Sequence, residues 1–206
     1  MLTKLGLLAI SFGFVINGIY SESLSKSHQS NVIKDTSDKR ELLDDERINQ
    51  EFASLVRKFL DTAKLCGFQP IIHEAYRDTL RAQQLNLRHQ QGGPPAAKYS
   101  IHSYGIAVDI WLRNDSGIPT SYGDTPRKGN KISFRTWMKF IRIGQSMGLI
   151  NAVKHNDSDH WEYHPAWNKA NWVSAKKYAK PVYDKFPELS HTERLKKVWE
   201  SAGLIP

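Results

Sequence analysis

Eight histidines are spread along this 206-residue chain, and two of them have neighbours that could do chemistry. His102 stands seven residues before Asp109, and His160 sits inside Asp157-Ser158-Asp159-His160-Trp161-Glu162-Tyr163-His164. Imidazoles surrounded by carboxylates suit a cation. Catalytic zinc takes three protein ligands from nitrogen and oxygen donors and keeps one position for water, a demand that two His and one carboxylate satisfy. Cys66 is the only cysteine, so neither a thiolate zinc site nor a disulfide framework is possible. The other histidines need no special role: His28 falls in a polar stretch, His89 and His191 on polar, solvated faces, and His73 on the exposed side of a strand. Cys66 lies near the end of an apolar helical pattern and reads as a small core residue.

Such a site must be carried by ordered elements, and the patterning supplies them. Leu42, Leu43, Ile48, Phe52, Leu55, Val56, Phe59, Leu60 and Ala63 recur at three- and four-residue steps. They form one apolar helical stripe, which ends before Gly67 and should pack on a sheet. A short strand is expected within Phe68–Tyr76, then a helix over Arg77–Gln90 that Gly92-Gly93-Pro94-Pro95 terminates. From Gly105 to Leu112 the residues alternate, with Ile106, Val108, Ile110 and Leu112 on one face and Ala107, Asp109 and Trp111 on the other. Asp109 therefore projects away from the aliphatic face. Residues 113–131 read as a long loop. Ser133 caps a helix carrying Trp137, Phe140, Ile141, Gly144 and Met147, Gly148 ends it, and Trp161–Tyr163 forms a short strand.

The chain ends differ from this body. Lys4 followed by the uncharged apolar run from Leu5 to Tyr20 reads as a signal peptide over residues 1–23. Residues 24–40 read as a disordered linker, 41–165 as the domain and 166–206 as a basic, Trp-containing helical extension. Export to the periplasm or the medium follows. Hydrophobic residues at 40 % and charged residues at 24 % are the proportions of a soluble globular domain, and the length suits one domain. A formal charge of +8 suits an anionic partner without choosing among nucleic acid, acidic lipid and wall polymer.

The decisive pattern is Ser100-x-His102-x-x-Gly105-x-Ala107-x-Asp109, followed about fifty residues later by Asp157-x-x-His160-Trp161-Glu162-Tyr163. It closely resembles the zinc peptidases that group D-alanyl-D-alanine carboxypeptidases and dipeptidases with phage L-alanyl-D-glutamate endolysins, and the match runs from about Ala75 to Tyr163. The resemblance implies an α+β fold with a small central antiparallel sheet carrying the zinc site and flanked by helices (hedgehog / D-Ala-D-Ala peptidase-like). It implies Zn2+ as cofactor, with His102, Asp109 and His160 as ligands. The Gly and Ala of the signature would let the strand lie close to the metal. Asp157, three residues before His160, matches the Asp-x-x-His variant of the endolysin-like branch and would be the general base, with Asp159 and Glu162 as alternatives. The Glu-x-x-His register of the carboxypeptidase relatives fails, because Trp161 stands three residues before His164. His164 is then a supporting group or a solvated strand end.

Ala75-Tyr76-Arg77-Asp78-x-x-Arg81 resembles the family's Tyr-Arg-Ser segment. Arg77 would clamp a developing oxyanion or a substrate carboxylate; the bland alternative is a surface Arg paired with Glu74 or Asp78. Relatives often carry Gln five residues after that Arg, where this chain has Ala82, so Gln83 is the nearest substrate-binding candidate. Ser100 either binds substrate or shapes its turn. The expected function is zinc-dependent hydrolysis of peptidoglycan stem peptides, of the L-alanyl-D-glutamate endopeptidase or the D-alanyl-D-alanine carboxypeptidase type. The alternative is an inactive zinc-containing module of the same fold that binds wall or protein. A monomer is expected, with no nucleic-acid partner and no membrane contact beyond the signal segment.

Overall fold

The computed structural model describes residues 37–93, 96–97, 99–121, 132–152, 157–167 and 174–205. The expected signal peptide and residues 24–36 of the expected linker lie outside them. Residues 38–40, which the linker reading includes, are held in the fold. Asp38 is buried, its carboxylate accepts from Arg40 and from Lys64 Nζ at 2.6 Å, and its carbonyl accepts from Ile72 N. Burial opposes ionisation of Asp38, but those two cations hold its carboxyl far below the usual range.

The fold is α+β. Five strands form one antiparallel sheet: β1 (Pro70–Glu74), β2 (Ala107–Arg113), β3 (Pro119–Thr120), β4 (Ile150–Ala152) and β5 (Asp157–Glu162). Their order is β1-β2-β5-β4, with β3 paired to the end of β2. Two long helices, α1 (Gln50–Leu65) and α3 (Phe134–Ser146), supply the apolar cover of one sheet face. Phe52, Val56, Phe59, Leu60 and Ala63 of α1 join Trp137, Phe140 and Ile141 of α3 against Ile72, Val108, Ile110, Leu112 and Trp161. Each large apolar side chain fully buried there contributes about 1.5–3 kcal/mol. Gly144 lets α3 approach β5, since a Cβ there would lie 2.3 Å from the Trp161 ring.

The register of β2 with β5 fixes what the other face presents. Val108 pairs with Trp161 on the core side, so the next pair, Asp109 with His160, points the opposite way. Two of the expected zinc ligands are thereby neighbours on a rigid sheet.

Several boundaries differ from the expected ones. Leu42 and Leu43 fall in a 3-10 turn, Arg40–Asp44, and α1 begins only at Gln50 because the Asn49 side chain caps it by accepting from Phe52 N. Asp78 likewise caps α2 (Thr79–Gln90), leaving Arg77 in the irregular stretch before the helix. Strands β3, inside the expected loop, and β4 are additional; residues 122–131 of that loop lie outside the described residues. Cys66 is exposed and not a core residue. It sits at the C-cap of α1, where Gly67 turns the chain and Phe68 N bonds Ala63 O, so Phe68 folds back on the core in its place.

The C-terminal residues form α4 (Ser174–Tyr178), α5 (Lys180–Lys185) and α6 (His191–Ser201). Leu195, Val198, Ala202 and Leu204 build a second apolar cluster with Ile101, Tyr104, Ile106 and Ala107. Ser190 and Glu193 close a capping box that starts α6.

Candidate metal centre

Three elements bring the donors together. His102 lies in a 3-10 turn, Ile101–Tyr104, Asp109 on β2 and His160 on β5. Gly105 joins the turn to β2 with φ +67°, and a Cβ there would lie 1.9 Å from the carbonyl oxygen of Arg47. That contact corrects the expectation that this glycine clears space beside the metal. It clears space for the chain entering α1, and Asn49 N bonds Gly105 O in the same place. Ala107 is also spent elsewhere, in the apolar cluster under the C-terminal helices.

His102 Nε2, Asp109 Oδ1 and His160 Nδ1 form a nearly equilateral triangle, with edges of 3.1, 3.0 and 3.1 Å. Tetrahedral zinc with bonds of about 2.0–2.1 Å keeps its donors about 3.3–3.4 Å apart, so the triangle fits within a few tenths of an ångström. The outer nitrogens set the tautomers. His102 Nδ1 donates to the carbonyl of Ala75 at 2.7 Å, and His160 Nε2 donates to Glu162 Oε1 at 2.8 Å. In neutral rings the facing nitrogens, His102 Nε2 and His160 Nδ1, then carry lone pairs, and both aim at the Asp109 oxygen. With both rings neutral, three electron-rich atoms converge and call for a cation, and the carboxylate–imidazole pair behind His160 is the usual outer support of a metal ligand.

The electrostatics agree. Burial pushes the Asp109 carboxyl upward, but His102 and His160 beside it hold it well below its ordinary value. Burial pushes His160 downward, yet Asp109 and Glu162 hold it well above. A focus this anionic favours positive charge, supplied by a proton on His160 until a metal ion displaces it. Glu162 is itself fully buried, bonded to His160 and to His164 Nε2 at 2.6 Å. Burial raises its pKa, and the two imidazoles outweigh this and bring it to about 2. Of the alternatives left open for His164, the buried support is the one observed.

The expected catalytic groups border the same cavity, whose volume is about 680 Å³. Arg77 and Asp157 line it together with the three donors. Arg77 is mostly buried; it donates to Ser100 Oγ at 3.1 Å, to Glu74, and over 3.4 Å to Asp109 Oδ2. The pairing with Glu74 is present, but at the site and not on an open surface. Ser100, 6 % exposed, both lines the cavity and holds Arg77. The Asp157 carboxyl is raised, chiefly by burial and further by Asp109, against the pull of His160. Asp159 does not line the cavity: it accepts from Trp111 Nε1 at 2.7 Å, and burial with Asp109 and Asp157 pushes it up to about 7. Trp111 in turn stacks on His73, with ring centroids 3.8 Å apart.

Gln83 is not brought to the cavity. It is exposed, and at about 100° per residue it lies nearly opposite Leu85, the α2 residue that lines the wall together with Arg88. Its neighbour Ala82 is the buried one. Leu85 and Arg88 went unnoticed in the sequence, although their three-residue spacing on a capped helix was the available signal.

Among the described residues a possible metal-binding triad is thus present: His102, Asp109 and His160. No known family model matches the chain, and no curated protein matches it either.

Proposed function

We propose that the protein is an exported zinc peptidase that hydrolyses peptide bonds in peptidoglycan stem peptides. The observation that carries this reading is a single cavity holding a three-donor centre with fixed lone pairs, a guanidinium beside it and a carboxyl of raised pKa. The wall-peptide substrate rests on the resemblance carried by Ser100–Asp109 and Asp157–Tyr163, and export on the apolar segment after Lys4. The donor set of two imidazoles and one carboxylate fits zinc better than calcium or magnesium, which prefer all-oxygen shells.

His102, Asp109 and His160 would hold the ion, which when bound supplies Lewis acidity and brings the pKa of a coordinated water to about 7. Asp157 accepts a proton from the attacking water and returns it to the departing amine; burial tunes this carboxyl upward, in the direction a base that later acts as an acid requires. Arg77 offers its fixed positive charge to the oxygen that becomes negative as the scissile carbonyl turns tetrahedral. Glu74 and Ser100 fix its fork, so little reorganisation accompanies the charge development. Asp159 and Glu162 are the weaker base candidates, since the first is bonded to Trp111 outside the cavity and the second is saturated by two imidazoles.

The test is digestion of purified peptidoglycan by the zinc-loaded protein, with and without chelator, followed by mass analysis of the products. New amino groups that disappear with chelator are expected, and the masses assign the bond to the L-alanyl-D-glutamate or the D-alanyl-D-alanine type. Strand breaks in added DNA without new amino groups would overturn the reading.

A further inference from the structure

Tyr76 occupies the middle of a three-residue stretch whose two ends both serve the metal centre. On one side the carbonyl of Ala75 receives the His102 Nδ1 proton; on the other, Arg77 reaches Asp109. Residues 75–78 belong to no regular element and follow the irregularity in β1 between Ile72 and Glu74. Ladder hydrogen bonds therefore do not fix the stretch; its backbone is tied by one long bond, Arg77 N to His102 O at 3.4 Å, and further fixing falls to side chains.

The tyrosine side chain supplies a fixing point on the side facing the C-terminal helices. Its ring lies under the Arg47 guanidinium, 4.1 Å from the centroid, and Asp45 pins that arginine at 2.6 Å. Its hydroxyl meets His191 Nε2 at 3.0 Å, while His191 Nδ1 meets the Tyr183 hydroxyl at 3.1 Å. His191 is the first residue of the capped helix α6 and is half-buried, so the polar, solvated face expected for it is not what forms. A neutral imidazole has one N–H and one lone pair, so it can donate to one hydroxyl and accept from the other. Burial, with Arg194 and Arg47 nearby, disfavours its charged form. A second tie runs in parallel: Trp199 Nε1 of α6 donates to the carbonyl of Tyr104, the end of the turn that carries His102, at 2.8 Å.

We infer that His191 is a positioning residue of the metal centre, acting from the C-terminal helices through Tyr76 to set the Ala75 carbonyl, and with it the His102 ring, for metal binding. The basic C-terminal stretch is in this view a brace for the site. The inference rests on the metal centre and not on the reaction, so its readout is zinc affinity, and it stands or falls apart from the peptidase proposal.

The experiment is zinc competition against a chromophoric chelator, using the full chain and variants His191→Phe, His191→Gln, Tyr76→Phe and the double Tyr76→Phe/His191→Phe. Each is measured well below its own unfolding temperature. Direct outer partners of metal ligands are worth about 10–100-fold in affinity. One step further out, His191→Phe and Tyr76→Phe should each weaken zinc about three- to tenfold. The double variant should be no weaker than the worse single, because both remove the same Tyr76–His191 bond, and Gln, which can donate and accept, should restore most of the affinity. Tyr76→Phe deletes one hydroxyl and keeps the ring, so it remains decisive if His191→Phe fails to fold. Zinc affinity within about twofold of the wild type in Tyr76→Phe, or losses that simply multiply in the double variant, would overturn the inference.

Discussion

Replacing Glu162 by Gln changes the atom that fixes the His160 tautomer while nearly preserving shape. The carboxylate accepts from two imidazoles, at 2.8 Å from His160 and 2.6 Å from His164. An amide can accept from only one of them and must turn its N–H2 to the other. If the N–H2 faces His160, that ring must protonate at Nδ1, which aims a proton at the metal position. Loss of such an outer carboxylate costs about 10–100-fold in metal affinity, or about 1.4–2.8 kcal/mol. The zinc-free protein also loses stability. Lowering the Glu162 pKa from 4.5 to about 2 corresponds to about 3 kcal/mol, part of which Gln keeps through its remaining acceptor, so about 1–3 kcal/mol should vanish at pH 7. The folded pKa is depressed, so this contribution is present above pH 4.5 and is lost as pH falls toward about 2. Zinc competition and denaturant unfolding of chelator-treated protein between pH 7 and about 2 check both halves. The variant should bind zinc more weakly and should show a shallower acid loss than the wild type. Unchanged zinc affinity together with identical acid profiles would refute the reasoning.

Asp157→Asn should lower kcat of peptide hydrolysis by about 10²–10⁴-fold while zinc affinity stays within about twofold; full activity would move the base to Asp159 or Glu162. Arg77→Lys keeps a cation between Glu74 and Asp109 but loses the fork that also reaches Ser100. We expect kcat to fall by about tenfold or more with a smaller change in KM, read from steady-state kinetics on a synthetic stem peptide. Gly105→Ala combines a left-handed φ of +67° with a Cβ 1.9 Å from the Arg47 carbonyl oxygen, and should destabilise the fold by about 2–4 kcal/mol in urea unfolding. A loss below about 1 kcal/mol would mean that the backbone yields easily there.

Much of this is legible in local sequence pattern. The alternation from Ile106 to Leu112 put Asp109 on the non-aliphatic face, and the β2–β5 register then sets His160 beside it. Capping chemistry at Ser133 and the turn at Gly148 located α3 closely. What escaped depends on contacts distant in sequence. The partner of Gly105 is the Arg47 carbonyl, and that of His191 is the Tyr76 hydroxyl 115 positions away; neither pairing leaves a local signature. The apolar stripe of α1 hid the break at Asp45–Asn49 because Leu43 and Ile48 reach the core from outside the helix. Cys66 reads as buried because it follows Ala63 by three residues along the stripe, but the helix ends at Leu65 and Gly67 turns the chain. Gln83 is a candidate only because it adjoins the position where the resembled family carries Gln, and helical geometry turns it away from the wall that Leu85 and Arg88 line.

The central claim is that His102, Asp109 and His160 form one zinc centre with Glu162 and His164 behind it. Titration of the metal-free protein with zinc tests it most directly, read by competition in the wild type and in the variants His102→Ala, His160→Ala and His164→Ala. The wild type should take up one equivalent. His102→Ala and His160→Ala should each lose tight binding, and His164→Ala should keep the equivalent at weakened affinity. A wild type that binds no zinc, or a His160→Ala variant that still binds one equivalent with unchanged affinity, would contradict the account.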